Sequence, residues 1–97
     1  MQVIVAGKIY VQRSLRDEYV AAFEDFVRRT RSEPGCLDLI VAADPLEPDR
    51  INNFELWASK KELDAFRRKA KPPSVDIEIL NGDMHKYDIA SSGPPFP

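Results

Sequence analysis

The stretch EPGCLDLIVAADPLEPDRINNFELWAS, residues 33–59, decides how this chain folds. Glu33-Pro34-Gly35 stops any preceding helix, since proline lacks an amide hydrogen and glycine favours the cap position beyond the last turn. Cys36 to Ala43 then reads as a strand, with Leu37, Leu39 and Val41 on one face. Asp44-Pro45-Leu46-Glu47-Pro48-Asp49 cannot hold a ladder and forms a connecting loop. Ile51 to Ala58 returns as a strand, so the pair makes a hairpin with a long loop. Ser59 ends the stretch and, with Glu62 three residues on, gives the S-x-x-E signature of a helix start.

Upstream, Val3 to Val11 is rich in β-branched residues, apolar at odd and even positions through Ala6, as in a strand partly buried on both faces. Ser14 offers an N-cap, and Leu15, Tyr19, Phe23, Phe26, Val27 and Thr30 recur at helical spacing up to Arg28, Arg29 and Arg31. Downstream, Leu63, Phe66 and Ala70 mark the inner face of the second helix, which Pro72-Pro73 ends. Val75–Leu80 and Met84–Ile89 read as strand, divided at Asn81-Gly82 by either a hairpin turn or a bulge.

The order βαββαβ specifies an α+β, ferredoxin-like domain: an antiparallel sheet with both helices on one face. The other face has no cover within the chain, yet several strands are apolar on both sides. A second sheet packed there would bury it, which predicts a homodimer, a dimeric α+β barrel. The domain spans residues 1–90, and residues 91–97 form an irregular tail, either a pocket cap or a solvated end.

The chain has 97 residues, room for one domain with a thin core. Its 14 basic and 16 acidic residues leave a net charge of −2, which gives no attraction for phosphate backbones. The strand Arg50–Trp57 also lacks the glycine of an RNA-recognition motif and places Glu55 between its aromatics. A nucleic-acid partner is therefore not expected. One histidine, His85, and one cysteine, Cys36, are too few for a metal cluster, and no phosphate loop or nucleophile elbow is present. The N-terminus reads as a strand and no apolar run is long enough to span a bilayer, so a cytoplasmic location and no membrane are expected.

Alternation puts Asn53, Glu55 and Trp57 on one face of the hairpin's return strand, with Phe54 and Leu56 on the other. An amide buried without partners costs about 1–3 kcal/mol, so a ligand oxygen is one way to satisfy Asn53; a backbone bond is another. Trp57 is equally readable as core. Arg67, Arg68, Lys69 and Lys71 suit a helix C-terminus better than a substrate site.

Glu33-Pro34-Gly35-Cys36-Leu37, Pro48-Asp49-Arg50 with Asn53-Phe54-Glu55-Leu56-Trp57, and Lys61-Glu62-Leu63-Asp64-Ala65-Phe66 resemble segments of the antibiotic biosynthesis monooxygenase family. The resemblance runs from Val3 to about Ile89. It implies a cofactor-independent monooxygenase that oxidises a small aromatic, phenolic or quinol-type substrate with dioxygen. It also implies the site: Asn53 bonded to the substrate oxygen, Trp57 stacked along the pocket, and Glu55 as either a base or a solvated carboxylate. Haem-degrading relatives carry an axial histidine on the second helix; Phe66-Arg67-Arg68-Lys69 has none, so no cofactor is expected. His85, on the last strand, is a proton carrier or a structural residue. A non-catalytic small-molecule binding domain, or an isomerase using Glu55 or His85, remains open as the alternative.

Overall fold

The computed structural model describes residues 1–97. Strand β1 (Val3–Tyr10) leads through a 3-10 turn into helices α1 (Arg16–Ala22) and α2 (Glu24–Thr30). The hairpin β2 (Cys36–Ala43) and β3 (Arg50–Trp57) follows, then helix α3 (Lys60–Lys69) and strand β4 (Asn81–Asp88). The sheet order is β2-β3-β1-β4 and every neighbouring pair is antiparallel. This is the expected ferredoxin-like α+β arrangement.

Several local expectations are corrected. The first helix is not continuous: it breaks at Phe23, whose amide bonds back to Val20 in a tight turn before α2 resumes. Ser14 caps nothing and lies inside the 3-10 turn, and α1 begins without a side-chain cap. Val75–Leu80 forms no strand; Ile77 is buried against the helices, and Ile79 and Leu80 are exposed. Asn81-Gly82 is neither turn nor bulge but the start of β4, paired in unbroken register with Ile9 and Tyr10. Leu37 does not share a face with Leu39: a register shift between Cys36 and Asp38 leaves it outside the ladder, 51% exposed.

The capping box at α3 forms by half. Ser59 Oγ accepts from the Glu62 amide at 3.2 Å, but the Glu62 carboxylate packs against Gly35, where its Oε2 is buried without a hydrogen-bond partner. Gly35 adopts φ +81, a conformation that side chains resist, and a Cβ there would collide with Glu62. The loop between β2 and β3 is built on Asp44. Its carboxylate accepts from the amides of Leu46 and Glu47 and from the Asn52 side chain at 2.8 to 3.1 Å. Arg16 donates to the carbonyls of Glu47 and Arg50, tying this loop to the start of α1.

Register assigns the two sheet faces. Val3, Val5, Gly7 and Ile9 share the helix side with Ile51, Asn53, Glu55 and Trp57. Ile4 and Ala6 share the opposite, uncovered side with Phe54, Leu56 and Tyr87. Two apolar clusters fill the helix side. One joins Val3, Val5 and Trp57 to Leu63 and Phe66 of α3; the other joins Ile9, Val11 and Ile51 to Tyr19 and Ile77. Burial of these side chains, each worth about 1.5–3 kcal/mol, is the main driving force for docking the helices. Between the clusters lies the row Val41, Asn53, Gly7 and Met84. Gly7 has no Cβ to meet the backbone of Asp83 and Met84, so β4 approaches closely there, and the cavity lies over this row. No helix is long and apolar enough to cross a membrane.

Candidate active site

The space between the clusters is a cavity of about 240 Å³ under α1 and α2. Tyr19, Phe23 and Phe26 form its roof; Leu39, Val41, Asn53 and Glu55 belong to its sheet side. Ile79 and Met84, both partly exposed, stand at its edge. Every lining residue is apolar or aromatic except Asn53 and Glu55.

These two polar groups project from the same strand face two residues apart, roughly 7 Å along β3. The Asn53 amide donates only to the thioether of Met84, with Nδ2 at 3.9 Å from Sδ, a weak contact. It makes no bond to backbone and keeps its hydrogen-bonding capacity for a ligand. Glu55 is fixed differently: its Oε1 accepts from the indole Nε1 of Trp57 at 2.9 Å.

Trp57 therefore does not stack along the cavity. It is wholly buried in the core behind it, its ring 5.0 Å from that of Phe66, and it acts on the cavity through Glu55. His85 is not brought to the site either. Its register partner is Ala6, on the uncovered sheet face, and its Nε2 lies 2.7 Å from Asp83 in an exposed pair. Of the four residues singled out in the sequence, the structure brings Asn53 and Glu55 into the cavity and sets Trp57 behind them.

Burial raises the pKa of Tyr19, so its phenol keeps its proton at neutral pH. Burial, together with the charges of Glu55 and Asp38, also raises that of Cys36, which stays a thiol and a poor nucleophile. Met84 and Gly7 are the site residues that sequence reading missed. A lone glycine among β-branched strand residues was the available signal, because it marks close approach of another group.

Comparison with known proteins places this geometry. The sequence profile described as antibiotic biosynthesis monooxygenase matches residues 2–71. An uncharacterized protein of Synechocystis is 34% identical over 95 residues, covering 93% of this chain; the chain spans 65% of that relative's length. Among solved structures, a candidate antibiotic biosynthesis monooxygenase from Chloroflexus aurantiacus is 26% identical, with a TM-score of 0.62 over 96% of this chain and 98% of that one. A similar candidate from Deinococcus radiodurans superposes with a TM-score of 0.69 at 16% identity, over 98% and 99% of the two chains. A haem-degrading protein of Mycobacterium tuberculosis, solved with two haems in its active site, gives 0.68 at 12% identity, over 95% and 99%. These last two likenesses concern the fold.

The Phe66–Lys69 stretch of α3 carries no histidine, and His85 lies across the sheet from the cavity, so no imidazole reaches it. The profile spans most of the chain and the strand order and helix placement agree with it: the chain belongs to the antibiotic biosynthesis monooxygenase family.

Proposed function

We propose that this chain is a cofactor-independent monooxygenase acting on a small phenolic, anthrone-type or quinol-type substrate. One observation carries the reading: a mostly apolar and aromatic cavity into which β3 projects an amide with no strong partner, Asn53, and an anchored carboxylate, Glu55. That pair suits an apolar ring system bearing one ionisable group.

The chemistry follows from the substrate's own electronics. Glu55, held through Oε1 by Trp57, takes the acidic proton on its other oxygen. Asn53 donates to the substrate oxygen and stabilises the anion, and the substrate ring seated under the apolar roof displaces water from that bond, which strengthens it. The anion passes one electron to dioxygen, and the substrate radical and superoxide join through a new C–O bond. The peroxide then breaks its O–O bond: one oxygen stays as the carbonyl, the other leaves as water. An anthrone CH2 thus becomes C=O with one dioxygen consumed and one water released.

The same reading includes a homodimer formed through the uncovered sheet face, where Ile40 and Tyr87 are 38% and 52% exposed beside Phe54 and Leu56. Light scattering at micromolar concentration tests this part, and a stable monomer would overturn it.

Oxygen uptake tests the activity. Chelator-treated protein is given a panel of anthrones, hydroquinones and catechols, beside Asn53→Ala. Uptake is expected with at least one substrate and is expected to fall at least about tenfold in the variant, roughly 1.4 kcal/mol of barrier. Binding without uptake would overturn the oxygenase reading, and conversion of the ligand under argon would point to an isomerase using Glu55.

A further inference from the structure

The contact between Met84 and Asn53 has a chemical consequence. Met84 sits on β4 and Asn53 on β3, with β1 between them; the thioether reaches the amide by crossing over Gly7, the register partner of both residues. Gly7 lets the β4 backbone at Asp83 and Met84 come close to β1, which brings the Met84 side chain within reach of β3. Met84 is 37% exposed and stands at the edge of the cavity, where small solutes meet its side chain. The chain's other methionine, Met1, is 76% exposed and stands outside the cavity wall.

We propose that Met84 is a peroxide-sensitive modification site that closes the cavity. The proposal rests on the reading of Asn53 as the substrate anchor. The oxidant is hydrogen peroxide: the Met84 sulfur attacks one peroxide oxygen, the O–O bond breaks, and the sulfur loses two electrons as an S–O bond forms. The other oxygen leaves as water with both protons. A thioether is a weak hydrogen-bond acceptor, whereas a sulfoxide oxygen is a polar, strong one. The sulfur already lies 3.9 Å from the amide nitrogen, so an oxygen added on that side falls within hydrogen-bond distance of Asn53. The sulfoxide then takes the donor that the substrate oxygen needs and holds the Met84 side chain across the cavity floor. Methionine sulfoxide reductases reverse the change, so the closure is a switch and not a terminal lesion.

The test reads the amide directly and does not depend on catalysis. Full-length 15N-labelled protein is titrated with hydrogen peroxide while side-chain amide signals are followed by NMR. Asn53→Ala identifies the Asn53 pair by deleting it, and peptide mass mapping follows oxidation at Met84 and Met1. The Asn53 signals are expected to shift in step with Met84 sulfoxide. Affinity for the probe 2-naphthol is expected to fall by up to about tenfold, the factor given by losing one neutral hydrogen bond. Reductase treatment is expected to restore both. Met84→Leu is expected to show neither change at a dose that oxidises Met1. Resistance of Met84 to peroxide, or Asn53 signals that stay fixed as its sulfoxide forms, would overturn the proposal. A shifted amide with unchanged probe affinity would overturn the closure and Asn53's role as anchor. Absence of oxygen uptake by unoxidised protein would strike only at the oxygenase reading.

Discussion

The indole N–H of Trp57 donates to the carboxylate of Glu55 across 2.9 Å, and this bond connects the packed core to the wall of the cavity. It gives the largest side chain of the core a second task beyond filling space. Trp57→Phe keeps an aromatic ring against Phe66 but deletes the donor and some volume. The expected stability loss is about 1–3 kcal/mol. Glu55→Gln keeps a carbonyl oxygen for the indole, so its stability should change by less than about 1 kcal/mol. Oxygen uptake should fall in both variants, and the double variant should lose little more than the worse single one, because the residues act as one unit. Denaturant melts and uptake rates on the three variants check this. Fully additive losses in activity would separate Trp57 from the chemistry.

Asn53 should behave oppositely in stability and in binding. Its amide has only a thioether for a partner, so its removal orphans no strong hydrogen-bonding group. Asn53→Leu adds apolar surface to an apolar cavity and is expected to leave stability unchanged or raise it by up to about 1 kcal/mol. Affinity for phenolic ligands should fall at least about tenfold. Thermal melts paired with ligand titrations read both effects. A loss of stability above about 2 kcal/mol would make the amide a structural group.

How much of this was legible in the sequence depends on how far each signal reaches along the chain. Alternation within β3 was enough to put Asn53, Glu55 and Trp57 on one face, because period two is a local property. Which of them opens into a cavity was not legible, since that depends on the neighbour at each register position. Trp57 faces the buried Val3 and the half-buried Cys36, whereas Asn53 faces Gly7 and Val41. His85 went astray for the same reason: its register with Ala6, and hence its face, is set by β1 and not by any neighbour in sequence. Val75–Leu80 misled because its alternation of Val75, Ile77 and Ile79 is that of a strand. The partner β1 is already filled by β3 and β4, so the segment packs Ile77 onto the helices without a ladder of its own.

Gly35 and Glu62 form a pair whose coupling is measurable. Gly35→Ala places a methyl group against the Glu62 carboxylate and forces a side-chain-bearing residue to φ +81. The backbone part alone costs about 1–2 kcal/mol, and the collision adds to it. In the Glu62→Ala background the clash with the carboxylate is gone, while the backbone part and a close contact with the Cβ of residue 62 remain, so Gly35→Ala should cost measurably less there without becoming free. Denaturant melts of both single variants and the double variant give the difference. Equal costs in the two backgrounds would mean that the carboxylate moves aside freely.

Asp44 should give the fold a distinct acid dependence. The amide of Glu47, the side chain of Asn52, the amide of Leu46 and the Arg50 guanidinium lower its pKa from 3.8 to about 2. The folded value lies below the unfolded one, so its stabilisation is complete above about pH 4. It is lost as pH falls through the window from about 4 to about 2. Asp44→Asn keeps one acceptor oxygen but does not titrate. The variant should therefore be less stable than wild type at pH 6, and the gap should close progressively below pH 4. Urea melts of both proteins at intervals between pH 6 and pH 2 follow that gap. A difference that stays constant across the window would show that Asp44 holds the loop through shape alone, with its charge contributing nothing.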